Sequence, residues 1–132
     1  MSARLNERDL ELLKGTNYAT FVTLDDDGLP QSTIIWIDTD GASVLVNTAK
    51  GRVKDRNVRR DPKVSVLVIS EGDAYDWISV SGTVVDIEEG ERAVAHINEL
   101  SQRYDGHDYE LAEGMVREIL AIRPERIIRY KD

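Results

Sequence analysis

The sequence predicts a mainly β domain, a small antiparallel barrel with three or four short helices. Six or so runs of β-branched and aromatic residues alternate with turn-forming residues, a pattern typical of antiparallel strands. The chain has 132 residues, about the length of one domain, and 41% of them are hydrophobic, enough to bury a core. Neither a repeat nor a linker interrupts it, so we expect residues 1–132 to form a single domain.

The first half of the chain is predicted to hold a helix and three strands in meander order. Residues 6–14 form a short amphipathic helix, with Asn6 as its N-cap and Gly15 placed to end it. The predicted strands are residues 18–24, 31–37 and 43–48. Turn chemistry joins them, namely Asp25-Asp26-Asp27-Gly28 and the hairpin dipeptide Asp40-Gly41.

The second half is predicted to hold helices and further strands. A surface helix covers residues 50–60 and ends before Asp61-Pro62, since a residue that precedes proline disfavours helical backbone. Strands follow at 63–69 and 77–87, and Gly82 marks a bulge or bend in the second. We expect a helix over 89–104, a further helical stretch through Leu111, Met115 and Ile119, and a last apolar run at 120–122 and 127–128.

Composition excludes several classes of function. A net charge of −8 argues against a general nucleic-acid binder, and the basic residues are not interleaved with aromatic residues for base stacking. The absence of cysteine excludes disulfides, thiolate metal sites and cysteine nucleophiles. No apolar run has the length of a membrane span and no signal-peptide pattern opens the chain, so we expect a cytoplasmic protein without a membrane partner.

Other motifs are weak. The segment Asp25–Gly28 resembles part of a calcium loop, but it lacks the closing glutamate and is interpreted as a hairpin turn. His96 and His107 do not have zinc-ligand spacing and are interpreted as surface residues. Since no nucleophile or acid–base pair stands out, an enzymatic function would require a bound cofactor to carry the chemistry.

The basic segment at residues 50–63 is the most informative stretch. It holds seven basic and two acidic residues, a local charge of +5 that leaves −13 on the rest of the chain. One interpretation is a solvated helix that balances acids elsewhere. The other is a site for a small anion, with Lys50, Lys54 and Asn57 on one helical face and Thr48 and Gly51 near a helix N-terminus.

The segment Asn47–Leu67, with its run Arg-x-Lys-x-x-Asn-Val-x-Arg-Asp-Pro-Lys-Val-Ser, resembles the central signature of pyridoxamine 5′-phosphate oxidase-like proteins. Two flanking stretches agree: Phe21–Pro30 is similar to the first hairpin of that family, and Trp77–Val84 to a later strand. The resemblance implies a split β-barrel of the FMN-binding type, an antiparallel six-stranded barrel of Greek-key type. It also implies a homodimer with two cofactor sites at the subunit interface.

Within that superfamily the chain is most similar to the branch that uses the deazaflavin coenzyme F420, the B group of flavin/deazaflavin oxidoreductases. The FMN-type oxidases carry adjacent Arg-Lys before the helix, whereas here Val53 precedes Lys54. The resemblance implies a cofactor phosphate at Arg52, Lys54 and Asn57. It also implies a ring that is edged by the strand Gln31–Trp36 and by Asn47-Thr48, with Trp77 nearby. The implied cofactor-binding residues are Gln31, Ser32, Thr33, Ile34, Trp36, Asn47, Thr48, Lys50, Arg52, Lys54, Asn57 and Trp77.

The function that this resemblance implies is an F420H2-dependent reductase, which passes a hydride to a small organic acceptor such as a tetrapyrrole, a quinone or an enone. Two alternatives remain open from the sequence. One is an FMN-binding reductase or oxidase of the same fold. The other is a non-catalytic carrier of F420, FMN or haem, in which His96 or His107 would supply a histidine ligand to haem iron.

For Trp36 and Trp77 an alternative to cofactor binding also remains open. Packing in the core or in a dimer is the more common role for tryptophans.

Overall fold

The structure, a computed structural model, describes residues 3–131, in which seven strands and three helices are found. The helices are α1 (Glu7–Lys14), α2 (Val53–Arg60) and α3 (Glu91–Asp105). The strands are β1 (Ala19–Leu24), β2 (Pro30–Ile35), β3 (Asp38–Thr39), β4 (Val44–Ala49), β5 (Lys63–Ile69), β6 (Trp77–Glu89) and β7 (Arg117–Arg129). No helix within residues 3–131 is long and apolar enough to cross a membrane.

All strands belong to one antiparallel sheet, in the order β2-β1-β5-β6-β7-β4-β3. Six of them are long and β3 has two residues, so the predicted six-stranded antiparallel barrel is confirmed, with one short additional strand. The sheet curls around a core in which Phe21, Val66 and Val80 are buried on neighbouring strands. This fold is a split β-barrel.

Helix α1 closes one side of the core. Leu12 and Leu13 are buried against the barrel, and the helix ends at the predicted position, with Gly15 as its C-cap. The predicted N-cap is confirmed as part of a capping box, because Asn6 accepts from the backbone N–H of Asp9 at 2.8 Å and the Asp9 carboxylate accepts from the backbone N–H of Asn6 at 2.8 Å.

Helix α3 lies on the outer face of the sheet. Its Ala93 packs with Leu45 of β4 and Ile119 of β7 in a second, smaller apolar cluster. The residues that alternate with these on β4 and β7 face the barrel interior instead, as the buried Val46 and Leu120 show. The sheet therefore separates a space beneath α3 from the inside of the barrel.

The predicted helical stretch through Leu111, Met115 and Ile119 is wrong. Residues 106–116 form an irregular connection, and β7 begins at Arg117. Leu111 is 44% exposed whereas Ile119 is buried between β4 and β6, so the three residues share no buried face. The apolar residues whose spacing predicts a helix therefore lie in two different structures, an irregular loop and the start of a strand.

The first hairpin turn is confirmed. The Asp25 carboxylate accepts from the backbone N–H groups of Asp27 and Leu29, both at 2.9 Å, so it stabilises the turn between β1 and β2. The second strand ends at Ile35, earlier than predicted, which leaves Trp36 and Ile37 in the short connection to β3.

Gly82 is the site of a bulge, as predicted. The register between β6 and β7 shifts between Ser81 and Gly82. A Cβ atom at position 82 would lie 2.0 Å from the carbonyl oxygen of Arg123, closer than any side chain can approach. Glycine is required here because the backbone of β7 occupies the space of a side chain.

We expect Gly82→Ala to lower the free energy of unfolding by about 1–3 kcal/mol, because the added methyl group forces β6 and β7 apart. Urea denaturation followed by tryptophan fluorescence measures this change. Val85→Ala serves as the control on the same strand, since Val85 is 52% exposed, and should change stability by no more than about 0.5 kcal/mol. Equal effects of the two substitutions would show that the close approach is not a constraint.

Candidate functional site

A cavity of about 210 Å³ lies beneath α3, at the end of the sheet where β4 and β7 meet α2. One half of its lining is apolar and comprises Tyr18, Ile34, Ile35, Trp36, Ile97 and Leu100. The other half is polar and comprises Asn47, Arg52, Lys54, Tyr109 and Arg117. We refer to this space as the cation-lined cavity. Its two halves suit a ligand with a flat apolar part and an anionic part.

The apolar half is anchored by two stacked aromatic rings. Trp36 stacks on Tyr104 of α3 with ring centroids 5.3 Å apart and an interplanar angle of 14°. The Tyr104 hydroxyl donates to the carbonyl of Asn17 at 2.6 Å and accepts from the backbone N–H of Ile37 at 3.2 Å. These bonds connect α3 to Asn17 and to Ile37, the residue that follows Trp36. The ring of Trp36 is therefore held in place by contacts within the chain.

The polar half carries three positive charges that form no ion pair within residues 3–131. Among residues 3–131, no carboxylate pairs with Arg52, Lys54 or Arg117. Burial, followed by the charges of Arg52 and Arg117, lowers the pKa of Lys54. Three cations that repel each other in a partly buried space favour the binding of an anion, which removes the repulsion.

Arg117 is the most buried of the three, at 4% exposure. Its Nε donates to Oδ1 of Asn47 at 3.0 Å, and Nη1 donates to the Tyr109 hydroxyl at 3.3 Å. The guanidinium carbon also lies 5.0 Å from the centre of the Tyr109 ring. Burial lowers the pKa of Arg117, yet arginine keeps its charge near neutral pH. Neutral partners therefore hold this charge in place without neutralising it.

The remaining basic residues of segment 50–63 have partners elsewhere, apart from the exposed Lys63. The partners are Glu89 for Lys50, the Gly51 carbonyl for Arg56, Asp55 and Glu118 for Arg59, and the Leu24 carbonyl and Asn57 for Arg60. Part of the segment is therefore a solvated face whose positive charges balance acids elsewhere in the chain, as the first of the two sequence interpretations proposed. Arg52 and Lys54 are the members that line the cation-lined cavity.

His96 is buried, at 7% exposure, so its interpretation as a surface residue is wrong. Its Nε2 lies 2.9 Å from Asp38 and its Nδ1 lies 3.1 Å from Nδ2 of Asn47. Burial alone would raise the pKa of Asp38, but hydrogen bonds from His96, the Thr39 backbone and Lys14 hold it well below its usual range. His107 is exposed, as predicted.

A second polar group lies on the opposite side of the sheet, inside the end of the barrel that α2 covers. Glu118 is fully buried there and accepts from Arg59 at 2.9 Å, while Arg59 also donates to Asp55 at 2.7 Å. Burial and the neighbouring Asp55 raise the pKa of Glu118 to about 7, against the opposing effect of Arg59. The hydroxyl of Thr48 is buried without a hydrogen-bond partner within the described chain. We call Thr48, Asp55, Arg59 and Glu118 the barrel-end cluster.

The structure brings five of the predicted cofactor-binding residues together in the cation-lined cavity: Ile34, Trp36, Asn47, Arg52 and Lys54. Others lie elsewhere in this chain. Asn57 is buried and donates to Thr23 at 3.0 Å, with Gln31 3.5 Å away. Thr33 has a buried hydroxyl without a described partner, and Ser32 is exposed on β2. Trp77 lies in a different cavity and packs on Tyr130.

The expectation that Lys50, Lys54 and Asn57 share one face of a helix is wrong. Helix α2 begins at Val53, so Lys50 precedes it, and Asn57 turns toward the barrel while Lys54 lines the cavity. The backbone N–H of Gly51 is already bound by Asp55 at 2.8 Å, so this amide at the helix N-terminus is engaged within the chain.

Arg117 and Tyr109 line the cavity but are not among the residues that the sequence predicts for the site. Both follow α3 at a large sequence separation from the basic segment, and Arg117 lies in the stretch whose spacing predicts a helix. The strand pairing places Arg117 opposite Ala49, next to Asn47. Recognising residues 117–122 as a strand would have placed Arg117 on the same face as Ile119 and Ala121.

Comparison with known proteins identifies the family. The profile of the pyridoxamine 5′-phosphate oxidase family matches residues 5–131. The chain belongs to this family. Family membership supports an oxidoreductase function and a flavin-like cofactor for a chain of this fold.

Solved structures agree with this assignment. A protein named F420 reductase is 31% identical, with a TM-score of 0.80 over 89% of this chain and 94% of its own. A conserved hypothetical protein of Mycobacterium tuberculosis is 22% identical, with a TM-score of 0.72 over 96% of this chain and 86% of its own. A Listeria innocua protein, provisionally named a pyridoxamine 5′-phosphate oxidase, is 22% identical, with a TM-score of 0.71 over 96% of this chain and 100% of its own. The last two similarities show the fold alone.

The raised pKa of Glu118 has a consequence for stability. An acid whose pKa is higher in the folded than in the unfolded chain holds its proton more tightly when folded, so stability falls as pH rises from about 4.5 to about 7 and then levels off. We expect wild type to lose stability between pH 5 and pH 8 relative to Glu118→Gln. Urea unfolding at both pH values measures the difference.

The control for this prediction is Glu99→Gln. Glu99 is exposed on α3, and its substitution should leave the pH profile of wild type unchanged. Parallel stability profiles of wild type and Glu118→Gln would contradict a raised pKa of Glu118 in the folded chain.

Proposed function

We propose that this protein is an F420H2-dependent oxidoreductase, which transfers a hydride to a small organic acceptor such as a quinone, a tetrapyrrole or an enone. The observation that carries the proposal is the cation-lined cavity, in which Arg52, Lys54 and Arg117 lack a carboxylate partner within the described chain and face the stacked Trp36. The 31% identity to the protein named F420 reductase supports the choice of cofactor.

The residues of the cavity fit the chemistry of F420. The coenzyme joins a planar deazaflavin ring to a phosphodiester and an oligoglutamate tail, so its anionic part needs several cations and its ring needs a flat apolar surface. Arg52, Lys54 and Arg117 would hold the phosphodiester and the first carboxylates, since charge-assisted hydrogen bonds to such oxygens are the stronger ones. Trp36 and Ile34 would border the ring.

When bound, reduced F420 supplies a hydride from its C5 carbon to the acceptor. The contribution of the chain is then to bind and orient. The Trp36–Tyr104 stack and the apolar side chains of Ile97 and Leu100 keep water from one side of the cavity. The three cations would hold the anionic tail, and fixing the cofactor in this way would lower the entropic barrier of transfer.

The carrier interpretation is weakened by the position of His96. Both ring nitrogens of His96 are engaged, with Asp38 and Asn47, so this histidine is not free to bind haem iron. The role of a histidine ligand would then fall to the exposed His107. Oxidation of F420H2 by menadione, a quinone probe, distinguishes the enzyme from a carrier, which would bind F420 without turnover.

Lys54→Ala is expected to weaken F420 binding by about 1.5–3 kcal/mol, the range for a hydrogen bond to a charged group. This corresponds to about a ten- to hundredfold increase in Kd. A titration of the purified protein with F420, followed by fluorescence, measures the constant. An unchanged affinity would contradict the proposal that Lys54 binds the anionic tail of F420.

Lys63→Ala is the matched control for Lys54→Ala. Lys63 belongs to the same basic segment and is exposed, but it does not line the cation-lined cavity. It should therefore leave the Kd for F420 within a factor of two. A parallel titration with FMN tests the alternative cofactor, and tighter binding of FMN than of F420 would move the function to an FMN-dependent reductase or oxidase.

We also propose that the protein is a homodimer with its cofactor sites at the subunit interface. Several large apolar side chains are more than half exposed on this chain: Leu29, Ile34, Tyr75, Ile128 and Tyr130. A second copy would cover such residues and could bring its Trp77 to the cation-lined cavity, which Trp77 of the same chain does not line.

Mixing two variants tests this arrangement. If Trp77 of one protomer completes the cavity of the other, a mixed dimer of Lys54→Ala and Trp77→Ala contains one intact site. We expect half of the F420 sites of the mixed dimer to regain wild-type affinity after the subunits are exchanged. If Trp77 acts within its own chain, both cavities of the mixed dimer keep a defect. If Trp77 has no part in binding, subunit exchange restores no site. In either case the mixture binds F420 with the affinities of its two components.

A further inference from the structure

We propose that His96 is a positioning residue for the cation-lined cavity: its neutral ring orients the Asn47 amide that holds Arg117, and protonation of the ring weakens anion binding. The proposal rests on the proposed function, because F420 is the anion with which we test it. It goes beyond that function in naming a buried histidine, outside the cavity lining, that makes affinity depend on pH.

The four side chains form one continuous line of hydrogen bonds. Asp38 lies 2.9 Å from Nε2 of His96, and Nδ1 of His96 lies 3.1 Å from Nδ2 of Asn47. The same amide accepts from Nε of Arg117 at 3.0 Å through its Oδ1. Residues of β3, α3, β4 and β7 are thus connected from the carboxylate of Asp38 to the cavity.

The chemistry of the partners fixes the direction of every bond. Arg117 is donor-only, so it requires Oδ1 of Asn47, and Nδ2 then points away from it. Independently, Nδ2 donates to the carbonyl of Ala93 at 2.9 Å, which requires the same amide orientation. The second hydrogen of Nδ2 faces Nδ1 of His96, which must therefore be the acceptor. The ring is then neutral, with its hydrogen on Nε2 and directed at Asp38.

Protonation of His96 disrupts this arrangement at one point. The bond to Asp38 survives, but Nδ1 now carries a hydrogen that opposes the N–H of Asn47. A rotation of the amide to relieve this would turn Nδ2 toward Arg117 and lose the bond to Ala93. This rotation removes the oriented acceptor from the guanidinium, so the charge in the cavity loses its fixed position.

The groups that face His96 come from several elements. Asp38 of β3 is the charged neighbour, and it also binds Lys14 of α1 at 3.0 Å and Arg103 of α3 at 3.1 Å. Asn47 of β4 is the neutral neighbour on the cavity side. A purely coulombic effect of a positive ring would strengthen the binding of an anion at low pH, whereas loss of positioning weakens it. The two explanations therefore predict opposite pH dependences.

The experiment compares wild type with His96→Asn by calorimetric titration of F420 at pH 8.0 and pH 6.0. The asparagine oxygen can replace Nδ1 as an acceptor for Asn47, but the asparagine has no ring nitrogen that could take up a proton. At pH 8.0 we expect the two proteins to bind F420 with Kd values within a factor of three. At pH 6.0 the Kd of wild type should exceed that of His96→Asn at least threefold. Ionisation of F420 itself affects both proteins equally.

His107→Asn is the matched control, because His107 is the second of the two histidines in the chain and is exposed. It should follow the pH dependence of wild type. His96→Leu, which lacks any acceptor for Asn47, should bind F420 more weakly than His96→Asn at both pH values. Circular dichroism at each pH confirms that the variants remain folded.

A second readout needs no ligand and separates the two proposals. In the free protein, the NMR signal of the Arg117 Nε–H group should move as the pH is lowered from 8.0 to 6.0, and should not move in His96→Asn. A stationary signal in wild type, or equal pH dependence of F420 binding in wild type and His96→Asn, would overturn the positioning role. If the NMR signal titrates but neither protein binds F420 at pH 8.0, the proposed function fails while the role of His96 stands.

Discussion

The antiparallel register between β4 and β7 decides which side of the sheet each polar group at this end of the barrel occupies. Asn47 faces Ile119 and Thr48 faces Glu118 in that register, so neighbouring residues of each strand point to opposite sides. Arg117 reaches the space beneath α3, whereas Glu118 reaches the barrel interior. A slip of one residue would place the carboxylate in the cavity and the guanidinium in the core.

This separation explains why Arg117 forms no ion pair with a carboxylate within the described residues. The chain carries an excess of acids, and Glu118 is only one residue away from Arg117, yet the sheet directs that carboxylate to Arg59. Arg117 is left with the neutral partners Asn47 and Tyr109. A buried charge without an ion-pair partner destabilises the free protein, and an anion bound in the cavity, as proposed above, would recover that free energy as binding affinity.

Much of the fold follows from local patterns in the sequence, and much of the site does not. The capping box at Asn6, the turn at Asp25 and the bulge at Gly82 each depend on a few neighbouring residues, and each was predictable. The motif at Arg52 and Lys54 was recognisable because family resemblance is local too. Arg117 and His96 were missed because their environments arise from strand pairing and from the packing of α3, which join distant segments. The local sequence around a single polar residue does not indicate which distant residue it will contact in the folded chain.

Helix α2 connects the two polar groups that the sheet keeps apart. Lys54 lines the cavity, while the next residue, Asp55, belongs to the barrel-end cluster and binds the backbone N–H of Gly51. The position of Arg52 and Lys54 therefore depends on a carboxylate that shares its environment with the buried Glu118. Residues outside the cavity lining thus hold both of its walls: the barrel-end cluster supports α2 from within the barrel, and His96 supports Asn47, which in turn holds Arg117 beneath α3. The arrangement of the charged side chains in the cavity is consequently a property of the β4–β7 end of the fold as a whole, rather than of the basic motif alone.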